Sequence, residues 1–353
     1  WDAMVFHPEQ PQAPQEVFER VAAWLAQAPP PAQTRRVRPP GAARAAEIVL
    51  DVDGTPVRES PLTVPWQAGR LAGVLAEPVD APPTGLCAVF LNAGAVRRVG
   101  PNRMWVEAAR RWAARGVRAL RIDLEGIGDA DGDGDRFRDV TQFYAPRLVD
   151  QVGVVLDALE ERGLGGRFVL TGLCSGGYWA FQAARQDARV GAALLVNAGA
   201  LVWDDDLVTR REARKVGRLY QLDWWRKIMH GDVTQAQMRA VARAYVRTTL
   251  GRHAAFQSGV ERDLDHLRDA GTRLVLAFSG DEALHAELQE EGILTRLERW
   301  PNVALEHLPA RDHTLRPIVA QRAVRELFDR QLAVELTASG DLSGAGVTTP
   351  AGR

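Results

Sequence analysis

Between residues 86 and 332 the sequence alternates apolar runs of strand length with stretches of helical periodicity, an alternation that few folds accommodate. Strand-type runs fall at 86–91, 117–124, 167–171, 192–197, 273–278 and 303–307, and helical spacing at 105–115, 145–162 and 317–332. Continuously apolar strands need cover on both faces, which a parallel sheet between two helical layers provides. The expected fold class is therefore α/β, with a doubly wound and mostly parallel sheet. Two shorter β-type runs, at 47–52 and 71–75, precede it as a hairpin-like entry.

The remainder of the chain divides around this core. Residues 16–27 carry the helical spacing Val17, Phe18, Val21, Trp24, Leu25, and the prolines at 29–31 and 39–40 stop any continuation, so 1–45 is expected to be a helix on a linker. Core segments are expected at 46–201 and 271–335. Between the strands at 192–197 and 273–278 lie about 70 residues, too many for a bare loop. Helical spacing at 208–220 and 235–250 marks 202–270 as a helical cap inserted over the carboxyl edge of the sheet. The small, polar, Gly-rich end of the chain, within 336–353, is expected to be a disordered tail.

Composition excludes several functions. With 44 basic and 45 acidic residues the formal net charge is −1, which gathers neither phosphate backbones nor anionic lipid, so no nucleic-acid partner is expected. No run approaches the roughly 20 apolar residues that span a bilayer, and residues 1–18 lack the layout of a signal peptide, so the expected location is cytoplasmic. Two cysteines, Cys87 and Cys174, make neither a disulfide framework nor a metal-ligand spacing. Cys87, inside the apolar run 86–91, reads as a small hydrophobe.

Cys174 is different. It stands where the apolar strand 167–171 passes through Gly172-Leu173-Cys174-Ser175-Gly176 into a helical stretch, the layout of a nucleophile elbow. That turn brings the positions two before and two after the nucleophile close together, so both must be small. Gly172 and Gly176 meet this with Cys174 at the centre, whereas centring on Ser175 puts Leu173 on a flank. A thiol there lies at the amino end of a helix, whose dipole favours a thiolate. The Ser175 N–H supplies half of an oxyanion hole, and the loop 92–95, through Gly94 and Ala95, is expected to supply the rest.

A base and an orienting carboxylate should follow in chain order. His313 lies on a polar turn between the last strand and the terminal helix. Asp281, after the strand 273–278 on a Gly turn, is the first choice for the acid, Glu282 the second, and Asp204, Asp205 and Asp206 a competing site. Arg97 and Arg98, beside the oxyanion loop, and Trp179 and Trp203 are candidates for contact with substrate. Asp129, Asp131 and Asp133 with Gly134 resemble the start of a calcium loop, but Val140 occupies the twelfth place where a Glu is required, and no metal is expected.

On these residues the chain from about 47 to 332 resembles the α/β-hydrolase superfamily. The cysteine elbow is similar to that of dienelactone hydrolases, and the cap to the serine-aminopeptidase-like and lipase-like branch. Further similarity, to a subgroup of bacterial hydrolases, lies in the segments 91–103 and 120–129. The resemblance implies acyl transfer through a covalent intermediate without metal or organic cofactor. Its substrate would be a small-molecule acyl ester or thioester, free or carrier-bound, and the activity that of an esterase, thioesterase or acyltransferase. Most relatives carry Ser at the nucleophile position, so their substrates do not transfer. The alternatives are a binding module that has lost turnover and a lyase or isomerase using His313 as base.

Overall fold

The computed structural model describes residues 15–27, 47–80, 82, 84–203, 207 and 252–344. The chain divides into two units, Trp1–Arg44 and Ala45–Arg353. In the first, helix α1 (Gln15–Ala26) has Glu16 in its first turn and exposes Phe18, Val21 and Trp24.

In the second unit nine strands form one sheet in the order β1-β2-β3-β5-β4-β6-β7-β8-β9. They are β1 (Ile48–Val52), β2 (Thr55–Trp66), β3 (Gly69–Pro78), β4 (Leu86–Phe90), β5 (Arg118–Asp123), β6 (Arg167–Leu173), β7 (Val190–Val196), β8 (Arg273–Phe278) and β9 (Val303–His307). The first three pair antiparallel, β3 meets β5 antiparallel, and every pair from β5 to β9 is parallel. The six core strands of the sequence reading are present to within two residues at each end. The entry differs from that reading, because β2 fills the stretch between the two short runs. Its Pro61 and Pro65 are both exposed and lie in the part of β2 that β1 does not pair, where a strand tolerates proline.

Strand alternation splits the core in two. Cys87, Val89 and Leu91 point to one face with helices α3 (Pro146–Glu161), α4 (Ser175–Gln186), α5 (Arg252–Asp269) and α6 (Ala283–Glu290). Leu86, Ala88 and Phe90 point to the other, where α2 (Met104–Ala113) and α7 (Ile318–Gly344) lie. Phe90, Trp105, Trp112 and Phe328 cluster there with centroid separations of 5.6–6.3 Å. Each such buried ring is worth about 1.5–3 kcal/mol of transfer free energy. Burial also pushes the Cys87 thiol up to about 12, in keeping with its role as a small hydrophobe.

Two boundaries differ from expectation. Helix α7 continues to Gly344, so residues 336–344 are helical rather than a disordered tail. Buried Glu335, paired with Arg273, and Gln331, bonded to the same guanidinium, hold the helix against β8 beyond the last apolar turn. At the end of the expected cap, α5 buries Val260, Leu264 and Leu267 in the main core. It is the crossover helix that returns the chain from β7 to its parallel neighbour β8. Of the expected cap, residues 204–206 and 208–251, with Trp224 and Trp225, lie outside the described residues, as do 345–353.

The chain leaves β4 toward β5 on one side and then crosses to β6 on the other. The carboxyl ends of β4 and β6 thus flank the switch point where ligands bind in open α/β sheets.

Candidate active site

Cys174 sits between β6 and α4 at φ 57°, ψ −118°. For a residue with a Cβ this conformation costs on the order of 1–3 kcal/mol and persists only where its surroundings over-determine it. Here its N–H bonds Val196 O (3.1 Å), while its carbonyl accepts from Gly177 and Gly199 N–H (both 3.1 Å). A Cβ on Gly172 would fall 2.1 Å from the Gly176 backbone, and one on Gly176 would fall 2.1 Å from Asn92 O. Both flanks therefore have to be glycine. The thiol is half-buried, in contrast to Cys87.

His313 follows β9 on a turn held by Asp312, whose Oδ1 accepts from Thr314 N–H (2.9 Å) and Oγ1 (2.8 Å). Its Nδ1 lies 2.9 and 3.1 Å from the two oxygens of Glu282, and the ring also hydrogen-bonds the Cys174 thiol. Burial lowers the affinity of this imidazole for a proton. The bonds to Cys174 and Glu282 and the negative charge of both outweigh it, and the pKa is pushed up to about 10. Glu282 is 10 % exposed and takes a further bond from Ser279 Oγ (2.9 Å).

Asp281, the first choice from sequence, does not meet the histidine. At φ 69° its side chain turns out to 78 % exposure, with Arg311 3.8 Å away, and the next residue turns inward instead. The competing Asp204, Asp205 and Asp206 lie outside the described residues.

The oxyanion loop also departs from expectation. Ser175 opens α4, so its N–H is one of the helix's unpaired amino-terminal donors. Gly94 N–H, however, donates to Ser175 Oγ (3.0 Å), and Ala95 is exposed. The Gly94 donor is thus engaged within the protein rather than open to a ligand.

Arg98 is not available to substrate. Its backbone and guanidinium both bond the fully buried Asp123, and its other guanidinium nitrogen pairs with Asp129 at 2.6 Å. Arg97 is 64 % exposed and 3.8 Å from Asp129. The carboxylates that resembled a calcium loop are likewise separately engaged, Asp129 by arginine, Asp131 by Arg70 N–H (3.1 Å) and Asp133 by Asp135 N–H (2.9 Å). Among the described residues no group of three metal-ligating side chains converges.

Trp179 is wholly buried and its indole N–H bonds Phe143 O, so it packs the core instead of lining a pocket. Trp203 stacks on Tyr144 at 3.6 Å and 5°. A Cβ on Gly199 would lie 2.3 Å from Tyr144 Oη and 3.8 Å from Cys174 Sγ, which brings this aromatic pair to the neighbourhood of the thiol. Sequence reasoning missed Tyr144, which carries no motif. Gly199 was legible only as a small residue after a strand.

The strand order, the strained elbow after β6, and a carboxylate and histidine following in chain order on the β8 and β9 loops define the α/β-hydrolase fold, and this chain adopts it. Similar solved structures include a proline iminopeptidase from Mycobacterium smegmatis, 18 % identical, covering 78 % of this chain and 100 % of that one (TM-score 0.47). A dienelactone hydrolase from Anabaena variabilis is 16 % identical over 77 % of this chain and 94 % of that one (TM-score 0.48). Est1E from Butyrivibrio proteoclasticus is 14 % identical over 79 % and 99 % (TM-score 0.49). No family model and no curated protein matches the sequence. No helix among the described residues is long and apolar enough to cross a membrane.

Proposed function

We propose that the protein is an acyl-transfer enzyme, an esterase, thioesterase or acyltransferase, that works through an acyl-Cys174 intermediate. The observation that carries this reading is the contact of His313 with both the Cys174 thiol and the Glu282 carboxylate, with the thiol on a strained elbow. An imidazole whose pKa is pushed up to about 10 holds its proton at neutral pH, and in this reading its partner reacts as the thiolate.

The thiolate attacks the acyl carbonyl, forming the C–S bond while the carbonyl π electrons move to oxygen. Ser175 N–H stabilises that oxyanion. Collapse expels the alcohol or thiol, which takes the proton from His313 Nε2, and leaves a thioester on Cys174. His313, now neutral and oriented through Nδ1 by Glu282, accepts a proton from water or from an acceptor alcohol or amine as it attacks the thioester. Release of the acyl product restores the thiolate and imidazolium. The substrate is accordingly a small-molecule ester or thioester, free or presented by a carrier.

Intact-protein mass spectrometry with a panel of activated esters and thioesters tests the reading. An acyl adduct is expected on wild type and on Ser175→Ala and not on Cys174→Ala. An adduct that survives Cys174→Ala, or none on wild type across the panel, overturns it.

A further inference from the structure

Asn197 is wholly buried at the carboxyl end of β7, at φ 43°, a left-handed conformation in which asparagine is enriched. Its N–H continues the ladder to Ala277 O (2.8 Å). The side chain makes two further bonds, accepting at Oδ1 from Ser279 N–H (2.7 Å) and donating from Nδ2 to His313 O (2.8 Å). One amide therefore joins the end of β7 to the loop that carries Glu282 and to the loop that carries His313. Cys174 is secured to the same strand end, through Val196 O and Gly199 N–H.

Neither bond is needed to build the sheet. β7 and β8 are already paired through Val196 and Ala277, and β9 is not a neighbour of β7, so the contact to His313 reaches past β8. The chemistry of the two ends is also fixed. Ser279 N–H requires an acceptor and His313 C=O requires a donor, and an amide offers one of each where a carboxylate does not. The backbone of His313 and, through Ser279, the carboxylate of Glu282 are thus held against one rigid point beside Cys174.

We infer that Asn197 is a positioning residue that aligns His313 with both Glu282 and Cys174. The inference rests on the reading of those three as the reacting set. Its test uses the full chain with Asn197→Gly and Asn197→Asp, both compatible with positive φ. Glycine removes both bonds. Aspartate keeps the acceptor for Ser279 but sets an oxygen against His313 O, and being nearly isosteric it carries the test should the glycine variant not fold.

Two readouts separate alignment from simple stability. The first is the protonation midpoint of His313, followed by NMR of protein labelled with nitrogen-15 histidine. The second is the rate of acyl-Cys174 formation at saturating activated ester. In Asn197→Gly the midpoint is expected to fall by about one pH unit or more, and in both variants acylation is expected to slow about tenfold or more. The carboxylate of Asn197→Asp itself favours the imidazolium, so its readout is the rate. Wild-type midpoint and wild-type acylation in a folded variant overturn the inference, whatever the loss of Tm. A wild type that takes no acyl group overturns the proposed function instead, and the NMR readout of Asn197→Gly then decides on Asn197, a lowered midpoint supporting alignment and an unchanged one overturning it.

Discussion

His313 Nδ1 lies 2.9 Å from Glu282 Oε2, while Asp281, the immediate neighbour of that glutamate, faces solvent beside Arg311. Two adjacent carboxylates thus have opposite environments, and the difference is testable. Glu282→Gln should lower kcat by about 10²–10⁴-fold, the usual contribution of a positioned acid–base system. Asp281→Asn should change it less than about twofold, since an exposed ion pair contributes little. Steady-state kinetics on any ester that acylates the wild type reads both, and equal losses would refute the assignment.

The two thiols should differ in reactivity. Cys87 is fully buried with its pKa pushed up to about 12, whereas Cys174 is half-exposed. Iodoacetamide should label the native protein once, at Cys174, and a second time only after denaturation. Peptide mapping that finds Cys87 labelled in the native state would contradict the buried placement.

Arg98 is expected to act on stability and not on substrate affinity. Removing its side chain takes the counter-charge from the buried Asp123 carboxylate, which keeps only neutral donors from Asn92 and the backbone of Arg98 and Asp129, and breaking such a pair costs about 3 kcal/mol or more. Arg98→Ala should therefore lower the urea midpoint markedly, while Arg97→Ala, at an exposed position, should leave it nearly unchanged. A KM effect of Arg98→Ala without loss of stability would restore it as a substrate ligand.

Ser175→Ala should cost about 0.5–1.5 kcal/mol, because the Gly94 N–H loses its acceptor at a part-buried position. The elbow itself is less forgiving. Gly176→Ala drives a methyl into Asn92 O, so that variant should fold poorly or not at all. Thermal unfolding of both variants ranks them, and a stable Gly176→Ala would be inconsistent with the close approach of α4 to the loop after β4.

The raised pKa of His313 has a signed consequence. A group whose folded pKa, about 10, exceeds its unfolded value near 6.5 contributes stability that is fully present below about pH 6.5 and is lost as the pH rises through about 10. The excess stability of wild type over His313→Gln in urea should therefore narrow steadily from pH 6 to 10.5. A gap that stays constant or widens would mean that the imidazolium is not favoured by folding.

Much of this protein is written in local pattern. Strand-length apolar runs bounded by turns marked β4 to β9, most plainly β4, β6, β7 and β8, because a strand buried on both faces must be largely apolar. The elbow was legible from Gly172 and Gly176, since the approach of Gly172 to the Gly176 backbone arises within one strand-turn-helix unit, whereas the contact of Gly176 with Asn92 O is made only in the folded sheet. His313 was legible from its place between the last strand and the terminal helix. What tertiary structure decided are contacts between distant segments. Glu282 meets a histidine 31 positions on, Ser175 captures a loop 81 positions back, and Asn197 reaches 116 positions forward. Arg98 turned from substrate ligand to structural anchor, and Trp179 from pocket wall to core, because partners brought by the folded sheet, Asp123 and Phe143, satisfy them. Periodicity encodes which face of an element is buried. It does not encode which of two adjacent carboxylates turns inward, since that depends on the backbone angle at Asp281 and on where strands β8 and β9 deliver their loops.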